Sequence, residues 1–110
     1  MLIFLYLTGF CDILKIMRLS GKEIFQLERI SKALANHHRI KILYFLEDKG
    51  EMFLGDIADS FDKDYKTIAE HLRRPVLGGL VHKRREGQFV YFRLSPLGQK
   101  IVQILPKIIP

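Results

Sequence analysis

The run GDIADSFDKDYKTIAEHLRRPVLGGLVHKRREGQFVYFRL, Gly55–Leu94, is the stretch from which the rest of the chain can be read. Gly55–Phe61 has the pattern of a compact helix with Ile57, Ala58 and Phe61 turned inward, and Asp62-Lys63-Asp64 supplies turn and cap chemistry for a second helix. This longer helix is predicted from about Asp64 to Leu77. It has Ile68, Ala69, Leu72 and Val76 on a core side, with Tyr65, Lys66, Thr67, Glu70, His71, Arg73 and Arg74 outside. Gly78-Gly79 ends it. Pro75 stands inside this helix, where it removes a backbone donor and crowds the carbonyl four residues earlier, so a kink or an early end is expected. Leu80–Arg85 and Phe89–Leu94 are β-rich runs joined through Glu86-Gly87-Gln88. Alternation in the second run places Phe89 and Tyr91 on one face and Val90 and Phe92 on the other.

Helix, short turn, longer helix and basic hairpin is the order in which a winged helix-turn-helix offers one helix to a DNA major groove and a β-ribbon to the flanking backbone. The charge follows that order. Asp62–Arg93 holds eight Lys and Arg against four Asp and Glu, net +4; Met1–Phe61 sums to zero, and Lys100 and Lys107 complete the formal +6. Lys83, Arg84 and Arg85 repel one another along one strand unless solvent or an anion relieves them. A charged edge strand that blocks sheet aggregation explains any one of these residues equally well, and a solvated amphipathic face explains the helix alone. Only the succession of the two favours nucleic acid.

The flanks read as helices. Lys22–Ala35 carries Ile24, Phe25, Leu27, Ile30, Ala33 and Leu34 near a helical period after a Ser20-Gly21 cap. Asn36 caps a helix through Lys49, with Ile40, Ile42, Leu43, Phe45 and Leu46 as its buried face and Gly50 as its stop. Glu51–Leu54 leaves room for a short extended piece. Ser95-Pro96 opens a last helix whose stripe of Leu97, Ile101, Ile104, Leu105 and Ile108 is bent or stopped at Pro106. The expected class is therefore mainly α with a small β-hairpin, an α+β winged helix-turn-helix. Its parts are an apolar extension over residues 1–21, a DNA-binding domain over 22–95 and a C-terminal helix over 96–110. Apolar ends on so small a chain are most simply a subunit interface, which implies a homodimer.

With 110 residues, 48% of them apolar, the chain has the size and composition of one domain with a small core. A sequence pI near 9.6 favours polyanionic partners. Cys11 is the sole cysteine, which rules out an intrachain disulfide, deprives a structural zinc site of its usual thiolates and makes a reducing cytoplasm the default. Met1–Phe10 is apolar but too short to span a bilayer, and it lacks the basic start of a secretory signal. A packed apolar segment in a dimer and a translation start at Met17 both accommodate it. No glycine-rich phosphate loop and no distinctive nucleophile-base pattern is present, so no enzyme is expected.

Leu34-Ala35-Asn36-His37-His38-Arg39-Ile40-Lys41-Ile42-Leu43, followed by Gly55-Asp56-Ile57-Ala58, Tyr65–Leu72, Gly79-Leu80-Val81 and Arg84–Leu94, resembles the ArsR-like winged-helix repressors over about Lys22–Ile104. That resemblance implies a dimeric transcription regulator pairing through its terminal helices. It implies Lys66, Thr67, His71 and Arg73 for the major groove, and Arg84, Arg85 and Gln88 for the wing. With their basic or exposed neighbours, the expected set on double-stranded DNA is Lys63, Tyr65, Lys66, Thr67, His71, Arg73, Arg74, Lys83, Arg84, Arg85 and Gln88. Pro75 departs from the family's unbroken helix. Many such proteins sense metals through cysteines at the first motif helix or through acids and histidines on the terminal helix. Here those places hold Met52, Phe53, Leu54 and Gly55, and no His, Asp or Glu follows Glu86, so no metal or other cofactor is expected. His37 and His38 diverge by about a hundred degrees on a helix, which argues against shared coordination and points them to solvent or a neighbouring subunit. The competing expectation is a winged-helix module that docks a protein and binds no specific DNA, since fold alone does not decide function.

Overall fold

The computed structural model describes residues 18–110. The expected extension over residues 1–21, the alternative start at Met17 and Cys11 therefore lie wholly or almost wholly outside the described residues. Helix α1 spans Gly21–Leu34 and α2 His37–Lys49; a short strand β1, Met52–Phe53, leads into α3, Leu54–Ser60. Helix α4, Tyr65–Leu77, is followed by β2, Val81–Glu86, and β3, Phe89–Leu94, and then by α5, Pro96–Ile104, and a 3-10 turn over Leu105–Ile108. The strands form one antiparallel sheet in the order β1-β3-β2. The extended piece expected after Gly50 is thus a third strand, pairing Met52 with Phe92 and Phe53 with Tyr91.

Local chemistry places the helix ends. Ser20, Asn36, Asp64 and Ser95 each accept a hydrogen bond from a backbone N–H of the turn they open, from Glu23, His38, Thr67 and Gly98 respectively. The hairpin closes on two residues, because Glu86 pairs with Phe89 and Gly87 takes φ +62° as in a type II′ turn.

Pro75 neither ends α4 early nor leaves it. It lies in the last turn of α4, and its ring is fully buried in the core. The helix closes with Leu80 N donating to the Pro75 carbonyl at 2.9 Å and Gly79 N to that of Val76 at 3.1 Å. Gly79, at φ +77°, takes the left-handed position this closure requires. Ala69, expected inside, is exposed, and Pro75 takes up core space instead.

The same closure ends α3 without glycine: Lys63 N reaches the Ala58 carbonyl at 2.9 Å, Asp62 N that of Asp59 at 3.2 Å, and Asp62 sits at φ +53°. An L side chain is strained there. Asp62→Gly is expected to raise stability by about 0.5–1 kcal/mol, the relieved strain exceeding the extra freedom of the unfolded glycine. Chemical denaturation that shows a loss of stability would refute this.

One core gathers Ile42, Leu43 and Leu46 of α2, Ile57 and Ala58 of α3, Ile68 and Leu72 of α4, Phe92 and Leu94 of β3, and Val102 of α5. Helix α1 contributes only Ala33 as a fully buried residue. Its Phe25 is 66% exposed, and Leu19, Ile24 and Leu27 also face outward, as do Ile104, Ile108 and Ile109 at the other end. No helix among the described residues is long and apolar enough to cross a membrane.

Candidate nucleic-acid interface

Strand alternation sorts the three cations of β2. Lys83 stands opposite Phe92 and Arg85 opposite Val90, and with these partners they turn toward α4. Arg84, opposite Tyr91, turns to the other face. On α4, Lys66 and Arg73 flank the exposed Ala69 and meet the β2 pair. Together they rim an open groove of about 490 Å³ with Leu54, Leu72, Val76, Val90 and Phe92 at its base. Glu70 is the acid in that lining, and it accepts a bond of 3.1 Å from Arg73 Nε.

The remaining expected residues do not converge on the groove. Arg74 is half-buried and lies with Arg29 and Lys32 of α1 around a separate cleft. Tyr65 is exposed at the start of α4, with its hydroxyl beside Gly55; a methyl on Gly55 would lie 2.9 Å from that oxygen and 2.5 Å from the Phe53 ring. Thr67 is half-buried, and its backbone amide donates to the Asp64 carboxylate at 2.8 Å. Hydrogen bonds from the Thr67 side chain and then from its amide hold that carboxyl below its ordinary range. Gln88 is exposed at the tip of the hairpin. Lys63 and His71 lie on the opposite flank, toward α2.

Arg84 is placed quite differently from its neighbours. Its guanidinium bonds Glu51 and Glu86, each at 2.7 Å, and sits 4.5 Å over the Tyr91 ring. Hydrogen bonds to Glu51 and then to Glu86 raise its pKa further, while the bond from Arg84 holds Glu51 below its usual value. An arginine already committed to two carboxylates has little to give a phosphate. Arg84→Ala is therefore expected to change duplex affinity less than about threefold, whereas removing a free phosphate contact costs about tenfold. Fluorescence anisotropy decides it, and a loss as large as that of Arg85→Ala would return Arg84 to the interface.

His38 is half-buried rather than turned fully to solvent. Its ring stacks on His71 of α4 with centroids 5.0 Å apart, and the centroid of the His37 ring lies 4.0 Å from its own. The spacing of the two adjacent histidines gives no sign of this, because His71 is more than thirty residues away and meets them only through helix packing.

These features describe a winged helix-turn-helix whose second motif helix and wing share one cationic groove. Residues 36–83 match the model of the family described as bacterial regulatory protein, arsR family. The transcriptional repressor SdpR of Bacillus subtilis is 33% identical over 69 residues, covering 63% of this chain and 76% of that protein. The chain belongs to the arsR family of bacterial regulatory proteins. It is 34% identical over 67 residues to a Staphylococcus aureus protein named as a cadmium resistance transcriptional regulatory protein CadC homolog, covering 61% of this chain. The match spans 55% of that relative's length, and 58% of the arsenical resistance operon repressor of Escherichia coli. Among solved structures, the homodimeric winged helix-turn-helix DNA-binding domain Mb0332 of Mycobacterium bovis superposes with a TM-score of 0.71 at 30% identity, covering 82% of this chain and 86% of that one. HlyU from Vibrio cholerae gives 0.68 at 26% identity, covering 82% and 98%.

Proposed function

We propose that this chain is a sequence-specific, double-stranded DNA-binding transcription regulator that acts as a homodimer in the cytoplasm without catalysing a reaction or requiring a cofactor. Helix α4 enters the major groove, and the β2–β3 wing lies on the flanking backbone or in the minor groove. The observation that carries this reading is the convergence of Lys66, Arg73, Lys83 and Arg85 on one groove between the helix and the wing. Four cations held on rigid elements around one cleft suit a row of phosphates and cost little further ordering when it binds. Lys66, Thr67 and Arg73 reach the bases and near backbone; Tyr65 and Lys63 flank the helix start, and Gln88 reaches from the wing tip. His71 and Arg74 act from the flank toward α1 and α2. Outward apolar residues of α1, at the start of the 22–95 DNA-binding unit, and of the 96–110 C-terminal segment pair the protomers.

Selection of bound duplexes from a random pool tests this. An inverted repeat should emerge, with an affinity that falls steeply as salt rises. Retention of random duplex as tightly as the protein's own promoter region at moderate salt would overturn the reading. So would a stoichiometric protein partner that duplex fails to displace.

A further inference from the structure

Three of the chain's four histidines, far apart in sequence, come together where α2 meets α4. His37 is exposed and His38 and His71 are half-buried, with the His38 ring in contact with each of the other two. The charged and titratable groups that act on His38 are His37 and Lys41 of its own helix, His71 of α4, and Lys63 of the turn before α4, all of them bases. The first turn of α2 holds no acidic residue, and the helix N-terminus adds positive potential at the same spot. A proton placed here meets repulsion from every side.

We propose that this histidine cluster is a proton-linked contact for a DNA backbone phosphate, so that binding of the duplex takes up protons and tightens as pH falls through the histidine range. The inference rests on the DNA-binding reading and extends it to a surface on the side of α4 away from the wing. In the free protein, desolvation first, then His37, His71, Lys41 and Lys63, lower the pKa of His38 below 6.5. That shift stabilises the fold in full above the unfolded value, and the contribution is lost as pH falls through 6.5 toward the folded value. A phosphate set against the cluster reverses the balance: it is the one counter-charge the site lacks, so it raises the imidazole pKa in the complex above that in the free protein. Acid therefore weakens the fold alone and strengthens the complex. Each unit of pKa difference between the two states corresponds to about tenfold in affinity below both values.

The test measures duplex affinity at fixed ionic strength, with a chelator present throughout, between about pH 7.5 and pH 5.5, a span chosen to bracket the ordinary imidazole value. Wild type should bind about tenfold tighter at the acid end. His38→Gln and His71→Gln should lose most of that gain. His82→Gln, on the wing, should keep it. NMR titration of the wild-type imidazoles with and without duplex supplies the answer without any variant, and His38 must titrate higher in the complex. Affinity that is flat or weaker in acid, a gain retained by both variants, or imidazole values unmoved by duplex would each overturn the proposal. Specific, salt-dependent binding would still leave the regulator reading intact. An absence of operator preference at every pH would remove both.

Discussion

Gly98→Ala is expected to destabilise the protein by about 3 kcal/mol and lower its thermal midpoint by roughly 10–20 °C. A Cβ on Gly98 would collide with the Leu80 carbonyl oxygen and lie 3.0 Å from its carbon. The obstacle is backbone, so no side chain can swing aside. Leu80 is fully buried, its amide is bonded to Pro75 and its carbonyl accepts from Ser95 N at 2.9 Å, so it cannot retreat. Helix α5 would have to lift instead, straining the Ser95 hydroxyl bond to the Gly79 carbonyl and the 2.9 Å bond from Tyr44 to the Val102 carbonyl. Because α5 leads to the outward Ile104 and Ile108, loss of the proposed homodimer should accompany loss of stability. Gly21→Ala, with nothing within 4 Å of its new methyl, is the control and should be neutral or slightly stabilising. A Gly98→Ala protein that melts with wild type would refute the close approach of α5 to the Leu80 carbonyl.

The second large effect concerns binding. Lys83→Ala combined with Arg85→Ala should leave the fold unchanged, since both side chains are exposed, yet lower duplex affinity about 100-fold. The double variant removes two cations per protomer. In the proposed homodimer, if each meets a phosphate, the slope of log affinity against log salt should fall by about 4 units. A slope that falls by about half as much would mean that one wing alone engages the duplex. An unchanged slope would place the phosphates elsewhere. The comparison with Arg84→Ala is informative because all three residues are cationic neighbours on one strand, and only their side of the sheet and their partners differ.

Much of the architecture could be read without coordinates, because the signals involved are local. Asp64 and Ser95 announce helix starts through side-chain oxygens that bond amides within three residues, and Gly79 and Gly87 mark places where a positive φ is needed. Pro75 misleads for the opposite reason: whether the bond its missing amide costs α4 is offset depends on whether the core has room for its ring. Periodicity turns Ala69 inward, but the wing leaves an open groove at that position. The third strand, with two residues, is too short to carry a pattern and exists because Phe92 and Tyr91 offer it an edge.

The amino-acid order determined the succession of helices, turn and hairpin, the accumulation of charge after Asp62, and likeness to a family, since periodicity, capping and composition act over a few residues. Which cations share one groove was decided only by tertiary structure. Arg84 left the basic face when Glu51, thirty-three residues earlier, came within 2.7 Å of it, and His71 met His38 because α4 packs on α2. Electrostatic interactions fall off with distance through space, and distance along the chain says little about that until the core has closed.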